Sequence, residues 1–159
     1  MDIVVIAQII TGTATLIVAF VLLYQLRLQH KDSEINLSMQ SVSNRQENRR
    51  WFISELDEKF YNKLDLGLSA LNNYELEIFK SYIVTQSVMQ LNEWRLKRHS
   101  RNPRYYKTTF RALFFKKSGL EYYKKYGRDF FVKGSDGDEK FVQYADEVYE
   151  EITGEKIGD

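Results

Sequence analysis

The sequence predicts an all-α protein with one N-terminal transmembrane helix, a helical juxtamembrane connector and a small helical-bundle domain of four to five helices. Three observations predict it. No charged residue lies between Asp2 and Arg27. Beyond that run, apolar residues recur at three- and four-residue intervals, and no stretch sustains the two-residue alternation of a half-buried strand. The interruptions fall on helix-end signals: Gly67, Asn72, Asn102-Pro103 and the glycines of 134–137.

The anchor comes first. Ile3–Tyr24 would form a helix of about 33 Å, enough for a hydrocarbon core of about 30 Å. A buried core helix would carry a polar stripe, whereas this segment holds only Gln8 and small hydroxyls. A cleaved signal peptide would need a basic start and small residues at its exit. Here the start is Met1-Asp2 and the exit is Leu22-Leu23-Tyr24. Residues 1–27 therefore read as an anchor. Arg27 and Lys31 follow the span and Asp2 precedes it, so the positive-inside rule expects the N-terminus outside and the C-terminal domain cytoplasmic. Thr11, Gly12, Thr15 and Ala19 share one side of this helix, a candidate face for close packing against another span.

Residues 28–48 read as the connector. Alternating steps of four and three pick out Leu28, Ile35, Met39 and Val42, but also Asp32, Gln46 and Arg49, so an ordinary connector competes with a self-association seam. The Ser/Asn/Gln-rich stretch 38–48 is where a bend is expected.

The soluble domain is expected over 49–154, with 155–159 as a tail. Trp51, Leu56, Phe60 and Leu64 give its first helix an apolar face that ends at Gly67. Asn72 and Glu75 form a capping box that opens a second helix, carried through Phe79, Ile83, Leu91 and Trp94 to His99. Asn102-Pro103 starts a third, with Tyr106, Phe110, Leu113 and Phe114 inside. Ser118 and Glu121 repeat the capping box for a short fourth helix that Gly127 closes. Phe130-Phe131-Val132 reads as a docked loop rather than a strand. The last helix is capped by Ser135 or Asp136 and runs through Phe141, Ala145, Val148, Tyr149 and Ile152.

Together, Gln25-Leu26-Arg27, Trp51-Phe52, the Trp94 helix end and the run Phe110, Phe114, Tyr122 and Tyr123 carry a resemblance. The chain resembles an uncharacterised family of small bacterial membrane-anchored helical proteins. That resemblance implies one span plus a compact helical domain, and no activity.

Charge is segregated. Nine basic residues and no acidic one lie between Trp94 and Leu120, and nine acidic residues follow Gly134 against two lysines. Three readings compete. The acidic last helix can neutralise the basic segment internally. Alternatively, Arg95, Lys97, Arg98, Arg101, Arg104, Lys107 and Arg111 can contact anionic lipid head groups, or they can contact a partner. Net charge of +1 makes nucleic acid the least favoured partner. A straight helix from Gln25 to Leu66 would rise about 60 Å and the returning helix only about 40 Å, so lipid contact requires the connector to bend.

Catalytic chemistry is not signalled. No cysteine is present, which excludes disulfides, thiolate nucleophiles and Cys-ligated zinc. His30 and His99 have no metal-binding partner at helical spacing, and no phosphate loop or calcium ladder occurs. We therefore expect no catalytic, cofactor-binding or metal residue and no cofactor. The expected function is a membrane-anchored interaction or scaffold module, an accessory or regulatory subunit that binds a protein partner or itself. The alternative is a membrane-acting effector or pore-forming homo-oligomer assembled through the N-terminal helix.

Overall fold

The computed structural model describes residues 2–135 and 137–157, and these are helical with no strand among them. Two compact units divide the chain, Met1–Ser43 and Asn44–Asp159. The helix α1 (Ile3–Glu55) supplies the first and extends into the second.

In the first unit the apolar side chains of α1 are exposed throughout, and the helix is long and apolar enough to cross a membrane. The hydroxyls of Thr11, Thr13 and Thr15 donate to the carbonyls of Ala7, Ile9 and Thr11 at 2.8–2.9 Å. Polar groups bonded within their own helix are what an apolar surrounding demands. Residues 38–48, where the sequence suggests a bend, are helical within α1. The first break comes only after Glu55, where the Asp57 carboxylate accepts the Phe60 N–H at 2.6 Å and opens the next helix.

The second unit continues with α2 (Glu58–Leu66), α3 (Asn73–Arg95), α4 (Pro103–Leu113), α5 (Lys117–Tyr122), α6 (Arg128–Gly134) and α7 (Glu139–Thr153). Its core is largely aromatic. Phe141 on α7 meets Trp94, Tyr106, Phe110 and Phe131 with ring centroids 5.1–5.9 Å apart, joining α3, α4, α6 and α7. At the other end Phe52, 3% exposed, stacks on Tyr82 at 4.1 Å and meets Phe60 edge-on. Trp51, expected in the core, is 38% exposed; Phe52 takes the inward position one residue later.

The Asn72–Glu75 capping box forms, and Asn102 caps α4 with Pro103 in the first turn. Other local signals fail. Ser118 does not cap: it is fully buried inside α5, and Lys116 precedes the helix without a side-chain cap. Glu121 instead reaches the turn after α2, accepting the Leu68 N–H at 2.7 Å. Gly127 does not end a helix. Tyr123–Gly127 forms a π turn that joins α5 to α6. Residues eight apart in a pure α-helix point about 80° from each other, and the wider π turn reduces that angle. Tyr123 and Phe131 thereby both reach the core, 5.8 Å apart. Phe130-Phe131-Val132 is thus helix, not docked loop. Helix α3 stops at Arg95 rather than His99. The cap of α7 is Asp138, which accepts the Lys140 N–H at 3.2 Å; the Ser135 hydroxyl donates to Val132, and Asp136 lies outside the described residues.

Two substitutions test this packing. Phe52→Ala should lower unfolding free energy by about 3–5 kcal/mol, the usual range for a buried Phe. Gly119→Ala should also destabilise, because its Cβ would meet the Leu113 carbonyl oxygen at 2.5 Å, whereas Gly12→Ala meets nothing within 4 Å and should not. Denaturant unfolding of the full chain in detergent, followed by tryptophan emission, reads all three.

Candidate interaction surfaces

The basic segment divides in the structure. Helix α4 lies against α7, and its cations face carboxylates there. Lys107 pairs with Glu147 at 2.6 Å and approaches Glu151, which also binds Arg111. This pairing holds the Glu147 carboxyl below the ordinary carboxylate range, chiefly through the hydrogen bond from Lys107. Much of the charge segregation is therefore resolved inside the domain.

Arg101 is also occupied. Its guanidinium sits 4.7 Å over the Trp94 ring and donates to the Asp138 carboxylate at 2.6 Å, while the Trp94 indole N–H donates to the same oxygen at 3.2 Å. A second Arg101 nitrogen donates to the Trp94 carbonyl at 3.3 Å. These contacts hold the α3–α4 turn in an unusual backbone. Lys97, His99, Ser100 and Arg101 all have positive φ, between 50° and 54°. Each such non-glycine residue costs on the order of 1 kcal/mol, so the clamp is what offsets them. His99 stacks on Tyr105 at 3.8 Å, beyond the end of α3. Arg95 donates to the Gly134 carbonyl at 2.9 Å.

Of the seven candidate contact residues, Lys97, Arg98 and Arg104 have no ion pair among the described residues. Beside them Leu96 is 65% exposed. The α3–α4 turn thus presents an aliphatic side chain among uncompensated cations.

A groove of about 700 Å³ lies along α6 and α7. Val132, Val142 and Ile157 supply its apolar surface, and Glu139 and Glu150 stand on it without an ion pair among the described residues. One wall is fixed by Asp146, which accepts from Arg128 at 3.2 Å and from the Tyr123 hydroxyl at 2.5 Å.

A third feature was not foreseen from sequence. Gln86, Gln90 and Glu93 are buried along one side of α3. Glu93 accepts from Arg45 of α1 at 2.9 Å and from the Tyr105 hydroxyl at 3.0 Å; Asn48 of α1 donates to the Tyr82 carbonyl at 3.4 Å. The signal was a polar row at steps of four and three, Gln86, Gln90 and Glu93, interleaved with the apolar residues of α3. Gln86 Nε2 and Gln90 Oε1 lack a hydrogen-bond partner.

In the first unit, Thr11, Gly12, Thr15 and Ala19 line one shallow groove on α1, with Gln8 beside them. No group of three or more His, Cys, Asp or Glu residues suited to a metal occurs among the described residues. Comparison with protein families, curated proteins and solved structures finds no match.

The buried phenols set a pH limit. Burial pushes Tyr106 well above the ordinary phenol value, and Tyr123 further still, with its hydrogen bond to Asp146 adding to burial. A raised folded pKa contributes stability that is complete below the unfolded value of about 10 and is lost as pH climbs beyond it. Tyrosinate absorbance should therefore rise in two steps, the later coinciding with loss of helical circular dichroism. A single step with helicity retained would contradict the assignment.

Proposed function

We propose that this chain is a membrane-anchored helical interaction or scaffold module. In this reading it is an accessory or regulatory subunit that holds its second unit at the cytoplasmic face of a membrane, the inner membrane of a bacterium. The observation that carries the reading is the double use of α1. Its N-terminal part is apolar and exposed, and its last turns supply Arg45, Asn48 and Phe52 to the packed domain. A domain that takes its first turns from the same helix as the apolar segment is tied to that segment by the chain, which suits a protein whose task is to be held in place.

The surfaces suit binding rather than catalysis. The polar groups brought together at Trp94, Arg101 and Asp138, and at Arg45, Glu93 and Tyr105, bond one another within the domain. Charged and apolar groups remain outward at the α3–α4 turn and along the α6–α7 groove. The pore reading gains nothing comparable. The apolar part of α1 offers Gln8 and hydroxyls already bonded to their own helix, a poor lining for conduction.

Alkaline carbonate extraction and protease accessibility test the anchoring and its direction. The full chain with a C-terminal tag should stay in the membrane pellet, with the tag protected in intact spheroplasts and cleaved after lysis. Release by carbonate would remove the anchor, cleavage in intact cells would reverse the orientation, and a shortened mature N-terminus would make the apolar segment a signal sequence.

A further inference from the structure

The α3–α4 turn and the α6–α7 groove have complementary chemistry. The turn projects Leu96 beside Lys97 and Arg98, with Arg104 following on α4. The groove presents Val132, Val142 and Ile157 beside Glu139 and Glu150. An aliphatic side chain flanked by cations meets an apolar trough flanked by carboxylates. Val142 belongs largely to the core, but Leu96 is 65% and Val132 46% exposed, and the named cations and carboxylates have no ion pair among the described residues.

We propose that the occupant of the groove is the Leu96-Lys97-Arg98 turn of a second copy of this chain. The two features are neighbours within one domain. Arg95 bonds Gly134 and Arg101 bonds Asp138, so the turn stands beside the end of the groove where α6 gives way to α7. Adjacent complementary patches satisfy the requirement of an isologous two-fold contact, in which each copy gives its turn and receives its partner's. The Trp94–Arg101–Asp138 clamp fixes the turn before contact, which lowers the ordering cost of docking. The patches are small. The inference rests on the anchored reading in one respect only, that confinement to a membrane raises the local concentration of copies.

The chain has no cysteine, which allows a direct test. Leu96→Cys and Val132→Cys change exposed positions, so the fold should survive, and circular dichroism verifies it. The two full-length variants are mixed, reconstituted into neutral-lipid vesicles and mildly oxidised. Flotation of the vesicles reports anchoring separately from docking. The mixture should form a disulfide dimer that neither variant forms alone. Adding Glu139→Lys and Glu150→Lys to the Val132→Cys copy should abolish it. Adding Lys97→Glu and Arg98→Glu to the Leu96→Cys copy should then restore it. Floated protein that gives no mixed dimer, or as much dimer from either variant alone, overturns the proposal. So does a mixed dimer indifferent to charge reversal.

Discussion

The C-terminal end of α1 carries the contact on which the rest of the second unit depends. Phe52 lies flat against Tyr82 and edge-on to Phe60, and Arg45 reaches the nearly buried carboxylate of Glu93. One helix must therefore answer two surroundings. Over residues 3–24 it is apolar apart from Gln8 and small hydroxyls, and exposed throughout; over its last turns it has one inward side, set by Arg45, Asn48 and Phe52. Removing Arg45 would take the cation from a carboxylate that is only 5% exposed, a large penalty for a small domain. The pair also orders three helices at once, because Tyr105 of α4 donates to the same Glu93 carboxylate.

Aromatic rings fill most of the interior beyond that contact. They solve a volume problem, since short helices such as α4 and α6, of eleven and seven residues, bury little each, and large rings let them share one hub at Phe141. Rings carrying polar atoms bring their partners with them. Trp94 needs Asp138, Tyr123 needs Asp146, and each carboxylate then recruits a guanidinium, Arg101 or Arg128. The charge segregation along the sequence is in good part the record of these pairings. What is left over, at the α3–α4 turn and in the α6–α7 groove, has no ion pair among the described residues.

The legible parts of the fold were those decided locally. The apolar run of α1 needs no tertiary knowledge, and neither do the caps at Asn72 and Asn102, whose partners lie two or three residues away. Ser118 and Glu121 show how the same pattern misleads: the spacing was right, but one side chain was buried and the other committed to Leu68, 53 residues distant. Gly127 misled because a glycine ends a helix only where the backbone turns left-handed, and here it stays helical at φ −67°. Of the candidate contact residues, sequence located the basic segment but not which members were already paired. Pairing of Lys107 and Arg111 with α7 is a matter of packing, and so is Arg45–Glu93, whose partners are 48 positions apart.

Amide hydrogen exchange on the full chain in detergent tests most directly whether the end of α1 belongs to the domain's cooperative unit. Residues 45–55 should exchange as slowly as the centre of α3, and Glu93→Gln should speed both together. Fast exchange over 45–55 while α3 remains protected would contradict the account, because the domain would then stand without the helix on which it is said to be built.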